Sequence, residues 1–163
     1  MTEVAVSRRP SLRNSIAIAA SVVLVDQLTK HWAATALGDG AARHVIWTLQ
    51  WNLSFNSGMA FSTGQGIGPF IGVLALVVVV VMLLSLRQSG GRLNTIAVGL
   101  VVGGAVGNVA DRLFREQGFF RGRVIDFIDF QWFPIFNVAD MAINVGGALI
   151  VLAALFSSKV RAS

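Results

Sequence analysis

The chain has 163 residues, of which 55% are hydrophobic and 13% charged. A soluble domain of this length carries charge on about a quarter of its residues, so the composition excludes an ordinary soluble domain and predicts one membrane domain. Cysteine is absent, which excludes disulfides and thiol chemistry. The net charge is +5, and the basic residues lie at the ends of apolar runs, which favours a membrane surface over nucleic acid as the partner.

Four apolar segments follow a basic tail at residues 1–13, and each is long enough to predict a membrane-spanning helix. The predicted spans are residues 14–36, 68–86, 93–111 and 136–156. The first of them also has features of a cleaved export signal. However, its apolar core continues into Asp26 and Lys30 instead of a small-residue region, so an uncleaved helix is favoured. The expected fold class is an all-α membrane protein with four transmembrane helices.

Two connecting segments are expected to lie outside the bilayer. Partial alternation of apolar and polar residues between Val45 and Phe55 predicts short strands, which are too short to close a barrel in lipid. Residues 113–134 mix arginine with phenylalanine, which is typical of a segment in the headgroup region. In the third span, glycines recur every four residues at Gly99, Gly103 and Gly107, and this stripe predicts close helix packing rather than phosphate binding.

Four spans put both termini on one side of the membrane, predicted as cytoplasmic from the basic residues there and in the loop after the second span. These are Arg8, Arg9, Arg13, Arg87, Arg92, Lys159 and Arg161. The polar residues that need an explanation then all fall on the other side. They are Asp26, Lys30, Asn56, Asn108, Asp111, Arg112, Asp126, Asn137 and Asp140. Polar residues without a common function would be distributed over both sides of the membrane. Their presence on one side therefore predicts a functional site on the side opposite the termini.

Carboxylates are the most plausible reactive groups of that site. His31 and His44 stand alone without a zinc-binding motif, and Ser54 or Ser57 with Lys30 as base lacks the usual nucleophile turn. Two carboxylates about 3 Å apart cannot both ionise, so one keeps a proton while the other can activate water for amide hydrolysis. Asn108, Asn137 or Arg112 are candidate donors to orient such a site.

Several structural interpretations remain open on these grounds. Asp26 and Lys30, four residues apart on one helix face, are an expected structural ion pair. Asp111 with Arg112 can anchor the end of the third span, and Asn56 can serve a turn. Asp129 can replace Asp126 as the partner of Asp140, and Asp140 itself can be an N-cap of the fourth helix. A carboxylate-based proton or ion carrier and a non-catalytic membrane subunit are the alternative functions.

Five short stretches, in this order, resemble one family, lipoprotein signal peptidase (signal peptidase II). They are Asp26-Gln-Leu-Thr-Lys30, Asn56-Ser-Gly-Met-Ala-Phe61, Gly103-Gly-Ala-Val-Gly-Asn-Val-Ala-Asp-Arg112, Val124-Ile-Asp-Phe-Ile128 and Phe136-Asn-Val-Ala-Asp140. The resemblance covers residues 15 to 156. It implies a membrane aspartyl protease that cleaves the signal peptide of prolipoproteins just before a diacylglyceryl-modified cysteine.

The resemblance also implies roles for individual residues. Asp126 and Asp140 become the catalytic pair, which favours Asp126 over Asp129. The implied site-lining residues are Asn56, Asn108, Asp111, Arg112 and Asn137, and the implied structural supports are Asp26, Lys30, Gly58 and Ala139. Residues 43–66 are expected to form an extracytoplasmic β-cradle and residues 113–123 a short surface helix.

The remaining expectations concern partners and location. The partners are lipid-modified prolipoproteins and membrane phospholipid, with no nucleic acid, no cofactor and no metal. The protein is expected to be a monomer in the bacterial cytoplasmic membrane, with its active site toward the outer leaflet.

Overall fold

A computed structural model describes residues 12–57, 68–85, 91–115 and 122–161. Its elements in chain order are α1 (Leu12–Ala36), β1 (Arg43–Ile46), β2 (Leu49–Asn56), α2 (Gly68–Ser85), α3 (Arg92–Phe114), β3 (Val124–Asp129) and α4 (Val138–Arg161). Gly58, the tail through residue 11 and residues 116–121 of the expected surface helix lie outside the described residues. The four expected helices and an antiparallel sheet are present.

The glycine-rich helix α3 is the centre of the helical bundle and packs against α1, α2 and α4. A Cβ atom added at Gly99 or Gly103 would come within 3 Å of side chains of α1, and one at Gly104 would meet the backbone of α4 at Ala139. The stripe therefore lets neighbouring helices approach α3 closely, as the sequence predicts. Gly107 has a second role, because its missing side chain leaves room for the Asp26 carboxylate.

A Gly103→Ala substitution is expected to lower the unfolding temperature of the purified protein. Its Cβ would lie 2.7 Å from Val22 Cβ and 2.8 Å from the Ala19 carbonyl oxygen, an overpacking that costs about 1–3 kcal/mol. Gly147→Ala is the matched control, because a Cβ there meets nothing within 4 Å among the described residues. Thermal unfolding in one detergent compares the two variants. Identical melting temperatures would show that close approach at Gly103 contributes nothing.

Length and apolarity identify one candidate membrane span among the described residues, the helix Arg92–Phe114. In α2 and α4, the apolar stretches with described side chains are Val73–Met82 and Val138–Ala154, which are shorter than a full span. The prediction of four helices is thus confirmed, whereas four membrane crossings remain a prediction.

The sheet has the strand order β1-β2-β3 with antiparallel pairing throughout. β1 and β2 lie where the alternating pattern predicts strands. β3 is not predicted from the sequence, whose mixture of arginine and phenylalanine indicates a headgroup segment that includes residues 124–129. Five of its six residues are buried, on both faces, so the strand shows no exposed polar face by which a sequence pattern could reveal it.

The sheet is fixed to the bundle through the last turns of α1. Ile125 and Phe127 of β3 are buried in one cluster with Ala33 and Leu37 of α1. Trp32 meets the rings of Trp51 and Phe127 edge-on, with centroids 5.7 and 6.0 Å apart. Because Ile125 and Phe127 point toward α1, the residue between them, Asp126, points to the opposite face of the strand. The sheet thereby carries one carboxylate to the end of the helical bundle.

Candidate active site

A cavity of about 370 Å³ lies between the sheet and helices α2, α3 and α4. Most of its wall is apolar, contributed by residues such as Val78, Val101 and Ile143. The polar residues that line it are Asn56, Asn108, Arg112, Asp126 and Asp140. Both predicted catalytic carboxylates and three of the predicted site-lining residues therefore meet in one apolar cavity. This combination is typical of an active site.

Asp126 is held by two side-chain amides. Asn56 Nδ2 donates to Asp126 Oδ2 over 3.1 Å, and Asn137 Nδ2 donates to Oδ1 over 2.6 Å. Ser54 is the direct cross-strand partner of Asp126, so Asn56, two residues further along β2, lies on the same face as a diagonal neighbour. Asn56 thus contacts the carboxylate directly and is more than a turn residue.

Burial raises the pKa of Asp126 to about 7, and the negative charge of Asp140 acts in the same direction. The hydrogen bonds from Asn56 and Asn137, and the charge of Lys30, oppose this shift without cancelling it. A carboxyl group in this environment keeps a proton up to nearly neutral pH, where an ordinary aspartate has already lost it.

Asp140 lies in the first turn of α4, but the N-cap of that helix is Asn137. Asn137 Oδ1 accepts from the backbone N–H of Asp140 over 3.0 Å, and Asp140 Oδ2 accepts from the backbone N–H of Asn137 over 3.1 Å. This reciprocal pair is a capping box that uses one oxygen of Asp140. The other oxygen, Oδ1, accepts from Asn108 Nδ2 over 2.9 Å. Capping therefore explains the contact of Oδ2 but not that of Oδ1.

Asn137 connects the two carboxylates. It is fully buried, and its side chain donates to Asp126 while its main chain donates to Asp140. The same Nδ2 also lies 3.2 Å from the Ile125 carbonyl oxygen and 3.3 Å from Asn108 Oδ1. One residue thus ties β3, α3 and the start of α4 together and contacts both carboxylates.

Asp129, the alternative partner of Asp140, is engaged elsewhere. Gln50 Nε2 and Asn52 Nδ2 donate to its Oδ2 over 2.7 and 2.9 Å, and the Gln131 N–H donates to its Oδ1 over 2.6 Å. Burial pushes the pKa of Asp129 upward, but the three hydrogen bonds outweigh it and hold the pKa below its ordinary value. Asp129 holds β2 and the chain after β3 together and does not belong to the described lining of the cavity.

Lys30 is fully buried beneath the site and is saturated with acceptors. Its Nζ lies 2.9 Å from Asp26 Oδ2, 2.8 Å from Asp111 Oδ2 and 2.9 Å from Asn108 Oδ1. An ammonium group has three donors and no lone pair, so these contacts occupy it completely. Lys30 in this state cannot accept a proton from Ser54 or Ser57, which disfavours the serine–lysine alternative.

Sequence reasoning missed the role of Gln27. Its Nε2 lies 3.1 Å from each of three acceptors: the Asp26 carboxylate, the Asp111 carboxylate and the Gly107 carbonyl oxygen. Gln27 belongs to the first of the five stretches, but no charge or spacing marks it as different from an exposed glutamine. The buried cluster under the site is therefore larger than the predicted ion pair.

Asp111 and Arg112, neighbours in sequence, have different surroundings. The Asp111 carboxylate binds Lys30 and Arg115 and lies 3.3 Å from the Ile125 N–H, so it supports β3 from behind the cavity wall. Arg112 lines the cavity and is 5% exposed. Its Nη1 is buried without a hydrogen-bond partner among the described residues. An orphaned buried donor in the wall of such a cavity is a candidate contact for a bound ligand.

Comparison with known proteins decides the family. A family model described as signal peptidase (SPase) II matches residues 18–156. The chain belongs to the signal peptidase II family. It is therefore a protease, and the resemblance predicted from the five short stretches is confirmed.

The relatives support the same conclusion over most of the chain. A lipoprotein signal peptidase of Mycobacterium avium is 37% identical over 146 residues, 89% of this chain and 80% of the relative. One from Hydrogenovibrio crunogenus is 37% identical over 145 residues, 83% of this chain and 81% of the relative. Two solved structures described as bacterial membrane enzymes superpose with TM-scores of 0.82 and 0.78, at 30% and 29% identity. They cover 93% and 91% of this chain, and 93% and 97% of their own. This signal peptidase II is thus a bacterial membrane protein.

Proposed function

We propose that this signal peptidase II cleaves diacylglyceryl-modified prolipoproteins just before the lipidated cysteine, with Asp126 and Asp140 as its catalytic pair. The observation that carries the proposal is that both carboxylates line one cavity and are joined through Asn137. The names of the relatives support lipid-modified prolipoproteins as its substrates, and the proposed chemistry uses no cofactor.

The two carboxyl groups divide the work of amide hydrolysis. Asp126, whose pKa burial raises to about 7, holds the shared proton and donates it to the scissile carbonyl oxygen. The ionised Asp140 accepts a proton from water, whose oxygen attacks the carbonyl carbon. Collapse of the tetrahedral intermediate breaks the C–N bond, the leaving amine takes the proton from Asp140, and the hydroxyl proton returns to Asp126. Asn56, Asn108 and Asn137 hold the pair in place throughout.

Arg112 is proposed to bind a substrate oxygen with its orphaned Nη1 group. An Arg112→Ala variant should then bind substrate less tightly before its chemistry fails: KM rises about tenfold, and kcat stays within about threefold of the wild-type value. Steady-state kinetics on one lipidated peptide give both constants. Arg43→Ala is the matched control, because Arg43 pairs with Asp39 and its side chain is 54% exposed, outside the cavity lining. An unchanged KM with a collapsed kcat in Arg112→Ala would contradict the proposed role.

We also propose that all four helices cross the membrane, with both termini cytoplasmic and the site toward the outer leaflet. Apolar side chains project outward from α1, α2 and α4, including Leu24, Leu28, Phe70, Leu74 and Val151, which are 59–76% exposed. Such surfaces are stable against lipid rather than water. The polar cluster lies near the C-terminal ends of α1 and α3 and the N-terminal end of α4, which is one end of the bundle. A monomer surrounded by phospholipid fits this arrangement.

The proposed function is tested with purified protein in lipid nanodiscs and a synthetic prolipoprotein peptide carrying a diacylglyceryl cysteine. Intact-mass measurement should show one cut, with the lipidated cysteine as the new N-terminus. The same peptide without the lipid is the matched control and should be left uncut. Equal cleavage of both peptides, or a cut at another bond, would contradict the proposed substrate.

A further inference from the structure

Asn108 can donate a hydrogen bond to the Asp140 carboxylate in only one of its two amide orientations. Its Oδ1 lies 2.9 Å from Lys30 Nζ and 3.3 Å from Asn137 Nδ2, both of which are donors. If the amide were turned over, three N–H groups would face one another at these distances. The donors on one side therefore force Oδ1 toward Lys30 and leave Nδ2 to donate to Asp140 Oδ1 over 2.9 Å.

The orientation of the Asn108 amide determines whether Asp140 can be ionised or must carry a proton to form this hydrogen bond. A carboxylate oxygen accepts from Asn108 Nδ2, but an oxygen of Asn108 turned toward Asp140 would make a hydrogen bond only if Asp140 carried a proton. Turning the amide over would thus move the proton of the pair to the other carboxyl group. The donor that fixes the orientation of the Asn108 amide therefore also determines which carboxyl group carries the proton during catalysis.

Lys30 is itself held in the position from which its ammonium group reaches Asn108. Asp26 and Asp111, both buried, anchor its ammonium from α1 and α3. Asp26 also accepts the backbone N–H of Ala139 over 3.0 Å, one residue before Asp140. The ammonium therefore has a fixed position relative to the turn that carries the catalytic carboxylate.

We propose that Lys30 is a positioning residue: by holding Asn108 Oδ1 it keeps Nδ2 toward Asp140, so that the proton shared by the catalytic pair lies on Asp126. This inference rests on the proposed function, because it assigns a role within that carboxylate pair. It goes beyond a structural ion pair, since Lys30 acts on the chemistry through Asn108 without touching the substrate.

A double-mutant cycle on kcat separates this role from simple support. Lys30→Met should lower kcat per folded molecule by about 10- to 100-fold, with KM within about threefold of wild type. In an Asn108→Ala background the same substitution should change kcat by less than about threefold, because the group through which Lys30 acts is gone. Independent, multiplying effects would overturn the proposal, as would an unchanged kcat in folded Lys30→Met.

Arg115→Gln is the matched control for loss of charge in the cluster. Arg115 Nε binds Asp111 Oδ1 over 2.5 Å, whereas Lys30 binds the other oxygen of that carboxylate and is the residue that reaches Asn108. This variant should keep the wild-type kcat whatever it does to stability. A loss of kcat equal to that of Lys30→Met would mean that any damage to the cluster suffices, and would overturn the specific role of Lys30.

A second measurement uses the unaltered protein and so remains informative if Lys30→Met does not fold. In protein labelled with ¹³C-aspartate, the carboxyl shifts at about pH 6 should mark Asp126 as protonated and Asp140 as ionised, with spectra of Asp126→Asn and Asp140→Asn identifying the two signals. The reverse distribution would overturn the inference. If the wild type failed to cleave the lipidated peptide, the proposed function would fail first; cleavage with an additive cycle would remove only the role of Lys30.

Discussion

Replacing either Asp126 or Asp140 by asparagine is expected to abolish cleavage of the lipidated peptide, with kcat reduced by about 10⁴-fold or more. Each substitution keeps the size of the side chain but removes its ability to exchange a proton. The Asp126→Asn variant cannot protonate the scissile carbonyl oxygen, and the Asp140→Asn variant cannot accept a proton from water. Single-turnover kinetics in nanodiscs, with the folded fraction measured by thermal unfolding, give the rate per folded molecule.

Asp129→Asn is the control for this experiment. Asp129 lies three residues beyond Asp126 on the same strand, and its oxygens accept from Gln50, Asn52 and the Gln131 N–H rather than lining the cavity. Its loss should affect the stability of the sheet while leaving kcat within about threefold of wild type. Full turnover by Asp126→Asn or by Asp140→Asn would end the assignment of the catalytic pair.

The second large effect is expected at Asn137, where capping and bridging can be separated. Asn137→Ser keeps an oxygen that can cap α4 but is too short to reach Asp126, so kcat should fall about 100-fold while the protein remains folded. Asn137→Leu loses the cap as well, which costs a further ~1–2 kcal/mol of stability. Rates and melting temperatures of the two variants, measured side by side, distinguish the two functions of this residue.

Asn52→Ser provides a comparison for the asparagine substitutions. Asn52 donates to Asp129 over 2.9 Å, in the neighbouring strand and outside the cavity lining, so its shortening should leave kcat unchanged. If Asn137→Ser turned over substrate at the wild-type rate, the bridge between the two carboxylates would have no part in catalysis. The cavity would then hold the pair by other contacts.

Local sequence features were sufficient for the parts of the site that lie on one helix. The i, i+4 spacing of Asp26 and Lys30 predicts their ion pair, and the four-residue spacing of the glycines predicts close packing of α3. The contacts of Lys30 with Asn108 and Asp111 join helices about 80 residues apart in the chain, and spacing carries no information about them. The same holds for Gln27, whose acceptors are on α1 and α3.

The choice between Asp126 and Asp129 shows a second limit of sequence patterns. Both follow an apolar residue in β3, and their spacing to Asp140 does not distinguish them; only the family resemblance favours Asp126. What distinguishes them physically is the pairing of β3 with β2. The register sets Ser54 opposite Asp126, which brings Asn56 to its carboxylate, and sets Gln50 opposite Asp129. A strand buried on both faces hides that register from its own sequence.

The most direct test of the claim that Asp126 and Asp140 share one proton is the dependence of kcat/KM on pH, measured from about pH 4 to about pH 9. Because burial and the charge of Asp140 raise the pKa of Asp126 to about 7, the working form of the pair has one proton below that pH and loses it above. We expect kcat/KM to fall about tenfold per pH unit as the pH rises beyond about 7. A rate that instead increases through neutral pH to an alkaline plateau would contradict the shared proton.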